Sequence, residues 1–315
     1  MRIEVNFEIK NWNVNTDDLL QEIQYEEVCG SIEQKNKQCI IKLEGEEDLV
    51  IKVLRLIWEV IFLYEGYFYV PTKYIVDDKE KKPEELYFLS YYRCGETWRN
   101  AATSLSKNRI DISADRLFQY DTFRNTSRDS GKLLKSLINS FYYLHSEAYE
   151  KINVNHRLSL FLNLCDGYII NTKGKSNNVQ ANITNVLGEN LNVKLIKYGA
   201  GLLGIPQKKL YDALADERNE IDHYDLQKES VSSYIFNRED RKSNFVNWYF
   251  IYVVELALRI GFLKKIGFVP SDEEIEYAMN EINDWFIYEC ELDEDCKNPI
   301  NKMKQDMRRS GITIR

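Results

Sequence analysis

The chain has 315 residues, of which 44% are apolar and 29% charged, and its net formal charge is −8. That composition excludes a disordered chain, a collagen-like repeat and a membrane bundle, and the length gives about two domains. The acidic balance argues against a surface that coats duplex nucleic acid through its phosphates, although it is compatible with a local basic groove.

Six cysteines (Cys29, Cys39, Cys94, Cys165, Cys290, Cys296) form no CxxC pair, and with only three histidines they offer no zinc-ligand spacing. No metal is expected. The opening MRIEVNFEIK alternates polar and apolar residues, so no signal peptide is expected. The most apolar stretch, Leu49 to Tyr64, carries Lys52, Arg55 and Glu59 and is too short to span a bilayer. A cytoplasmic protein with reduced thiols and no membrane contact is the expectation.

In chain order, Ile3, Val5, Phe7 and Ile9 fall on one face of a half-buried strand. Cys39 to Leu43 reads as a second strand. Leu49 to Tyr64 reads as an amphipathic helix suited to lying on a sheet, with Lys52, Arg55 and Glu59 on its polar face. Tyr67 to Val76 and Glu85 to Tyr92 are aromatic and β-branched and predict a hairpin or neighbouring strands around the charged turn Asp77 to Pro83. Residues 1–125 are therefore expected to form a small α+β domain.

From about residue 131 the period becomes helical. Leu134, Leu137, Ile138, Phe141, Leu144 and His145 mark one helix, and Leu158 to Ile170 a second, buried one. A loop at Thr172 to Asn178 precedes a helix over Ile183 to Leu203. Pro206 opens the next, Gln207 to about His223. A long helix from Phe245 past Ile260 runs into Gly267. The overall expectation is an α+β chain in which residues 126–315 form an all-helical domain.

The end is divided by charge. Asp272 to Asp295 holds eleven acids and no base, whereas Lys297 to Arg315 holds six bases and the single acid Asp306. A solvated helix followed by a tail is expected, with a basic RNA-contacting tail as the alternative.

The chain has no P-loop, no GxGxxG after a strand, no GxSxG and no HExxH, so no cofactor is expected. One cluster carries chemistry: Asp216, Glu217, Arg218, Asn219, Glu220, Ile221, Asp222, His223. An Arg separated from a following His by four to six residues is expected by chance about 0.5 times in this composition, and about 0.04 times with Asn required after the Arg.

An all-helical C-terminal domain with Arg-Asn-x3-His late in a core helix, followed by a long apolar helix, resembles the HEPN superfamily. The likeness is closest to the Apea-like HEPN proteins of bacterial abortive infection. It covers roughly Arg157 to Gly267, with Leu158 to Asp166 as the first bundle helix. The resemblance implies a metal-independent endoribonuclease whose Arg-x4-6-His motifs converge from two protomers. It would be toxic when unrestrained and would serve antiviral defence under an inhibitory or triggering partner. On these positions Arg218 and His223 are the catalytic pair, and Asn219 supports them by orienting the histidine or the phosphate. Asp222 supports the site if it reaches the histidine. Imidazole titrates near neutrality and suits acid–base work, while a guanidinium fork suits a phosphoryl group gaining negative charge. A non-catalytic HEPN dimer that holds RNA, a nucleotide or a protein is the alternative.

On an ideal helix residues five apart point about 140° from each other. Either the helix ends or distorts near Ile221, or the two side chains meet across a dimer. In the plainer reading Arg218 pairs with Glu217 or Asp222, and His223 closes the helix end. Other candidates are weaker. His145 lies on an apolar helical face, and His156 is a surface residue at a helix start. Asp166, in an otherwise apolar helix, needs a partner, with Arg218 one possibility. Lys208, Lys209 and the basic stretch Arg124, Arg128, Lys132 and Lys135 are either solvated or an RNA-guiding rim. An adaptor role through the Asp272 to Asp295 segment is a third option.

Overall fold

The computed structural model describes residues 1–9, 18–66, 68–86, 104–105, 110, 112–125, 133–144, 154–173, 178–191, 210–223 and 242–291. The architecture is mixed α+β, with one antiparallel sheet and eight α-helices among the described residues. These residues form two compact units. The first draws on Met1–Trp98, Ser104–Lys151 and Phe262–Pro270, and the second on Ile152–Gly261 and Ser271–Arg315. No described helix is long and apolar enough to cross a membrane.

In the first unit, β1 (Arg2–Glu8), β2 (Leu19–Tyr25), β3 (Val28–Lys35), β4 (Gln38–Glu44), β5 (Lys73–Val76) and β6 (Lys79–Lys81) form a sheet of order β2-β3-β4-β1-β5-β6. All neighbours are antiparallel. Its buried face follows from alternation. Val5 sits opposite Ile41 on one side and Tyr74 on the other, and Ile32 opposite Ile41. Gly30 is required in β3, since a Cβ there would lie 2.0 Å from the Lys42 carbonyl oxygen.

The hairpin expected around the charged turn closes earlier than its sequence suggests. Asp77 and Asp78, with φ of 46° and 63°, make the two-residue turn, and Lys79 to Lys81 pair back on β5. Three exposed charged residues suit β6 because it is a sheet edge, where charge discourages further pairing. No strand starts at Glu85, which ends a single 3₁₀ turn over Pro83–Glu85. Residues 87–92 lie outside the described residues.

Helix α1 (Glu47–Glu65) packs on this sheet, with the Trp58 ring 4.8 Å from that of Phe7. It ends at Gly66, whose φ of 67° lets its N–H reach the Phe62 carbonyl. The polar face expected on α1 is only partly solvated. Glu59 is fully buried beneath α2 (Ala114–Asn125). Its carboxylate accepts from Arg55 Nε at 2.9 Å, Arg124 Nη1 at 2.7 Å and the Tyr120 hydroxyl at 2.8 Å. Tyr120 in turn shares a hydrogen bond with Tyr142 on α3 (Leu133–Tyr143). Phe262–Pro270 completes this core: Phe262 lies against Phe123 and Phe141, Phe268 against Tyr64, and Arg116 donates to the Ile266 carbonyl.

The second unit is helical among its described residues: α4 (Val154–Lys173), α5 (Val179–Asn190), α6 (Leu210–His223), α7 (Lys242–Lys265) and α8 (Asp272–Glu291). Helix α5 is shorter than its apolar pattern suggests, because Leu191 is extended. The helix-weakening pair Gly188 and Asn190 precedes that stop, and Asn190 turns its side chain back onto the Val186 carbonyl. Helix α7 passes close to α4 and α5, where a Cβ on Gly261 would lie 2.8 Å from the Tyr168 ring. Helix α8 is more than a solvated run. A reciprocal cap between Ser271 and Glu274 starts it, and Ile275, Ala278, Met279, Ile282 and Phe286 are buried on one face. Tyr249 donates to Asn283 and packs on Phe286, joining α7 to α8.

Candidate active site

Helices α4, α5 and α6 pack on one another, and the polar residues they turn inward meet around Arg218. Arg218 donates its Nε to Asn163 Oδ1 at 2.8 Å and its Nη1 to Asn219 Oδ1 at 3.0 Å. Its Nη2 stands 3.9 Å from Asp166 Oδ2, and both side chains are 19% exposed. Asn182 on α5 donates to the other oxygen of Asp166 at 2.8 Å. Asn163 and Asp166 sit three apart on α4 and so share a helical face that receives the arginine.

Two neutral carboxamides accept hydrogen bonds from the guanidinium. A carboxylate balances its charge from beyond hydrogen-bond reach, and it is itself held by Asn182. The fork of a guanidinium suits the oxygens of an incoming oxyanion.

Asn219 belongs to a second feature as well. A cleft of about 380 Å³ lies between the first turn of α5, with Asn178 and Gln180, and the face of α6 carrying Asp212, Asp216 and Asn219. Asn178 caps α5 by accepting from the Ala181 N–H at 2.8 Å. One wall therefore presents the positive end of a helix and carboxamides, and the other presents carboxylates.

The structure brings Arg218 and Asn219 together with Asp166, and adds Asn163 and Asn182, which sequence reasoning did not single out. Helix α6 stays α-helical through His223, with no break at Ile221. The directions of positions 218 and 223 from its axis therefore differ by about 140°. The side chains of Asp222 and His223 lie outside the described residues, as do those of His145, Arg128, Lys132, Lys135, Lys208 and Lys209 and the tail Lys297 to Arg315. His156 is exposed on the first turn of α4. Arg124 is not part of a solvated rim, being buried against Glu59. Glu217, beside the motif arginine, is also buried.

Two ionisable side chains that flank Asp166 along α4 are poor acid–base catalysts at neutral pH. Burial, with Asp166 beside it, pushes the Cys165 thiol up. Burial and the nearby Glu189 push the Tyr168 phenol up to about 12.

Comparisons with models of protein families, with curated proteins and with solved structures find no match to this chain.

Proposed function

We propose that the chain is a metal-independent endoribonuclease of the HEPN type, acting through Arg218 and His223. The observation that carries this reading is the seating of Arg218, which Asn163 and Asn219 orient while Asp166 stands back at 3.9 Å. In the proposed reaction an imidazole takes the 2′-hydroxyl proton and the 2′-oxygen attacks the adjacent phosphorus. Arg218 holds the phosphoryl oxygens as negative charge builds. A second imidazole then protonates the departing 5′-oxygen, leaving a 2′,3′-cyclic phosphate and a 5′-hydroxyl.

Each chain brings one motif histidine, and positions 218 and 223 leave a regular helix in different directions. A homodimer supplies both the base and the acid, and lets an arginine of one copy face a histidine of the other. The proposed setting is antiviral defence through growth arrest, restrained by a partner or released by a trigger.

A second reading, a non-catalytic HEPN dimer that serves as a scaffold, draws on the same contacts: Arg218 also straps α6 to α4. The deciding experiment is digestion of total RNA in EDTA by the wild type and by His223→Ala, with the product ends mapped. Cleavage by wild type alone, leaving cyclic phosphate ends, supports the ribonuclease. Equal cleavage by both proteins removes His223 from the mechanism, and no cleavage by either favours the scaffold.

A further inference from the structure

Asn182 is fully buried on α5, a helix that enters the core through Ile183, Val186 and Leu187. A buried amide costs free energy unless hydrogen bonds match it. Asn182 Nδ2 donates to Asp166 Oδ1 on α4 at 2.8 Å. The other oxygen of that carboxylate, Oδ2, faces Arg218 Nη2 on α6 at 3.9 Å. An amide, a carboxylate and a guanidinium from three successive described helices thus follow one another.

Two features give this chain a direction. Nε and Nη2 lie on the same edge of a guanidinium, and the Nε of Arg218 donates to Asn163, three residues before Asp166 on α4. That edge is therefore turned toward α4, and the edge formed by Nη1 and Nη2 is the one a phosphoryl group can meet. The second feature is the soft torsion that turns an aspartate carboxyl about its Cβ–Cγ bond. A donor on Oδ1 from another helix fixes that torsion, and so fixes where the negative charge stands relative to Arg218.

We propose that Asn182 and Asp166 are positioning residues for Arg218. Asn182 fixes the Asp166 carboxylate, and the carboxylate keeps the Nε–Nη2 edge of the guanidinium turned toward α4. The proposal rests on the ribonuclease reading only for the use to which the arginine is put, and neither residue is assigned a contact with RNA. Its distinctive consequence is that Asn182 acts on Arg218 through Asp166 alone, so that removing both side chains moves the arginine no further than removing Asp166.

The test is a double-mutant cycle on the full chain with Asn182→Ala and Asp166→Ala. One readout is the proton–nitrogen NMR signal of Arg218 Nε, assigned by its absence in Arg218→Lys. The other is kcat and KM on a short RNA. Each single variant is expected to shift the Nε signal and to lower kcat about tenfold, with KM changing less. The double variant is expected to match Asp166→Ala in both readouts. Asn182→Ser keeps a donor and is the milder variant to use should Asn182→Ala not fold, with an intermediate shift expected. A merely structural role for Asn182 would leave the Nε signal in place in the folded variant. An unmoved signal, or effects that add in the double variant, would overturn the proposal. A signal that follows the cycle while no protein cleaves RNA would uphold the positioning and sink the ribonuclease reading.

Discussion

Asn163 on α4 accepts the Nε–H of Arg218 on α6 at 2.8 Å, so a neutral side chain fifty-five positions upstream sets the direction of the motif arginine. A hydrogen bond to a charged donor is worth about 1.5–3 kcal/mol, and here it also fixes one rotamer of a long side chain. Asn163→Ala is therefore expected to lower kcat of the proposed ribonuclease reaction by about tenfold to a hundredfold. KM should change little, because the lost contact aims the guanidinium without touching RNA. Asn163→Asp should differ in kind. A carboxylate at that position would form a tight ion pair and draw the arginine's charge away from substrate, raising KM as well. Single-turnover and steady-state kinetics on a short RNA separate the two effects.

Glu59 serves two arginines and a tyrosine from inside the first unit. Replacing it with Gln keeps the shape but leaves two guanidiniums facing an amide. Breaking a buried pair in this way costs about 3–5 kcal/mol. Urea denaturation of Glu59→Gln, followed by tryptophan fluorescence, should show a markedly lower midpoint. An unchanged midpoint would mean that the carboxylate's charge is not what holds α2 onto α1.

The acid limb of stability should depend on Asp121. Burial works against its charge, but hydrogen bonds from Tyr25, Lys52 and Asn125 outweigh that effect and hold the carboxyl below its usual range. With the folded-state value depressed, the stabilisation is present above the ordinary carboxylate value of about 3.9 and is lost as pH falls through the folded value. Asp121→Asn should therefore melt a few degrees below the wild type at pH 7, with the two curves converging as pH falls through the depressed folded-state value.

At the alkaline end the sign reverses. Burial and the hydrogen bond to Asp121 push Tyr25 up to about 12. Between the ordinary phenol value of about 10 and that figure, the unfolded chain gives up a proton that the folded one keeps. Stability should fall across that interval, and Tyr25→Phe should flatten the fall. Thermal melts between pH 9 and 12, roughly the span of the shift, would show it.

Two glycines test packing from opposite sides. Ala at Gly30 puts a methyl 2.0 Å from the Lys42 carbonyl, so β3 has to move away from β4, at a cost of about 2–4 kcal/mol. At Gly188, inside α5, an added Cβ meets nothing within 4 Å. There Gly→Ala should stabilise by about 0.5–1 kcal/mol through helix propensity. Denaturation midpoints moving in opposite directions would bear out both.

What the sequence reveals and what it conceals follow from the same physics. Strands β1 and β4 are legible because apolar residues alternate cleanly along them. Strands β2 and β3 are not, because their buried face mixes Ile23 and Ile32 with Gln34. Gln34 is buried through a reciprocal pair with the Ile110 backbone, which no local pattern announces. Glu59 looked solvated because helical periodicity cannot see α2 arriving from above. Arg218 was legible as half of a spaced motif. Asn163 was not, although the signal existed: Asn163 and Asp166, three apart, are the polar pair on a helix that is otherwise nearly all apolar in that stretch. Asn182 left no mark, since a single Asn in a helix has many explanations.

Phe262–Pro270 contributes to the core of the first unit, where Phe262, Ile266 and Phe268 meet residues encoded more than a hundred positions earlier. During synthesis those residues leave the ribosome only after the described helices α4, α5 and α6 have been made. The sheet can form early, but its unit cannot close until most of the chain is out, so its N-terminal position does not make it the first to finish folding. A ribosome stalled at Lys151 would carry a sheet and the described helices α1, α2 and α3, which still lack part of their core.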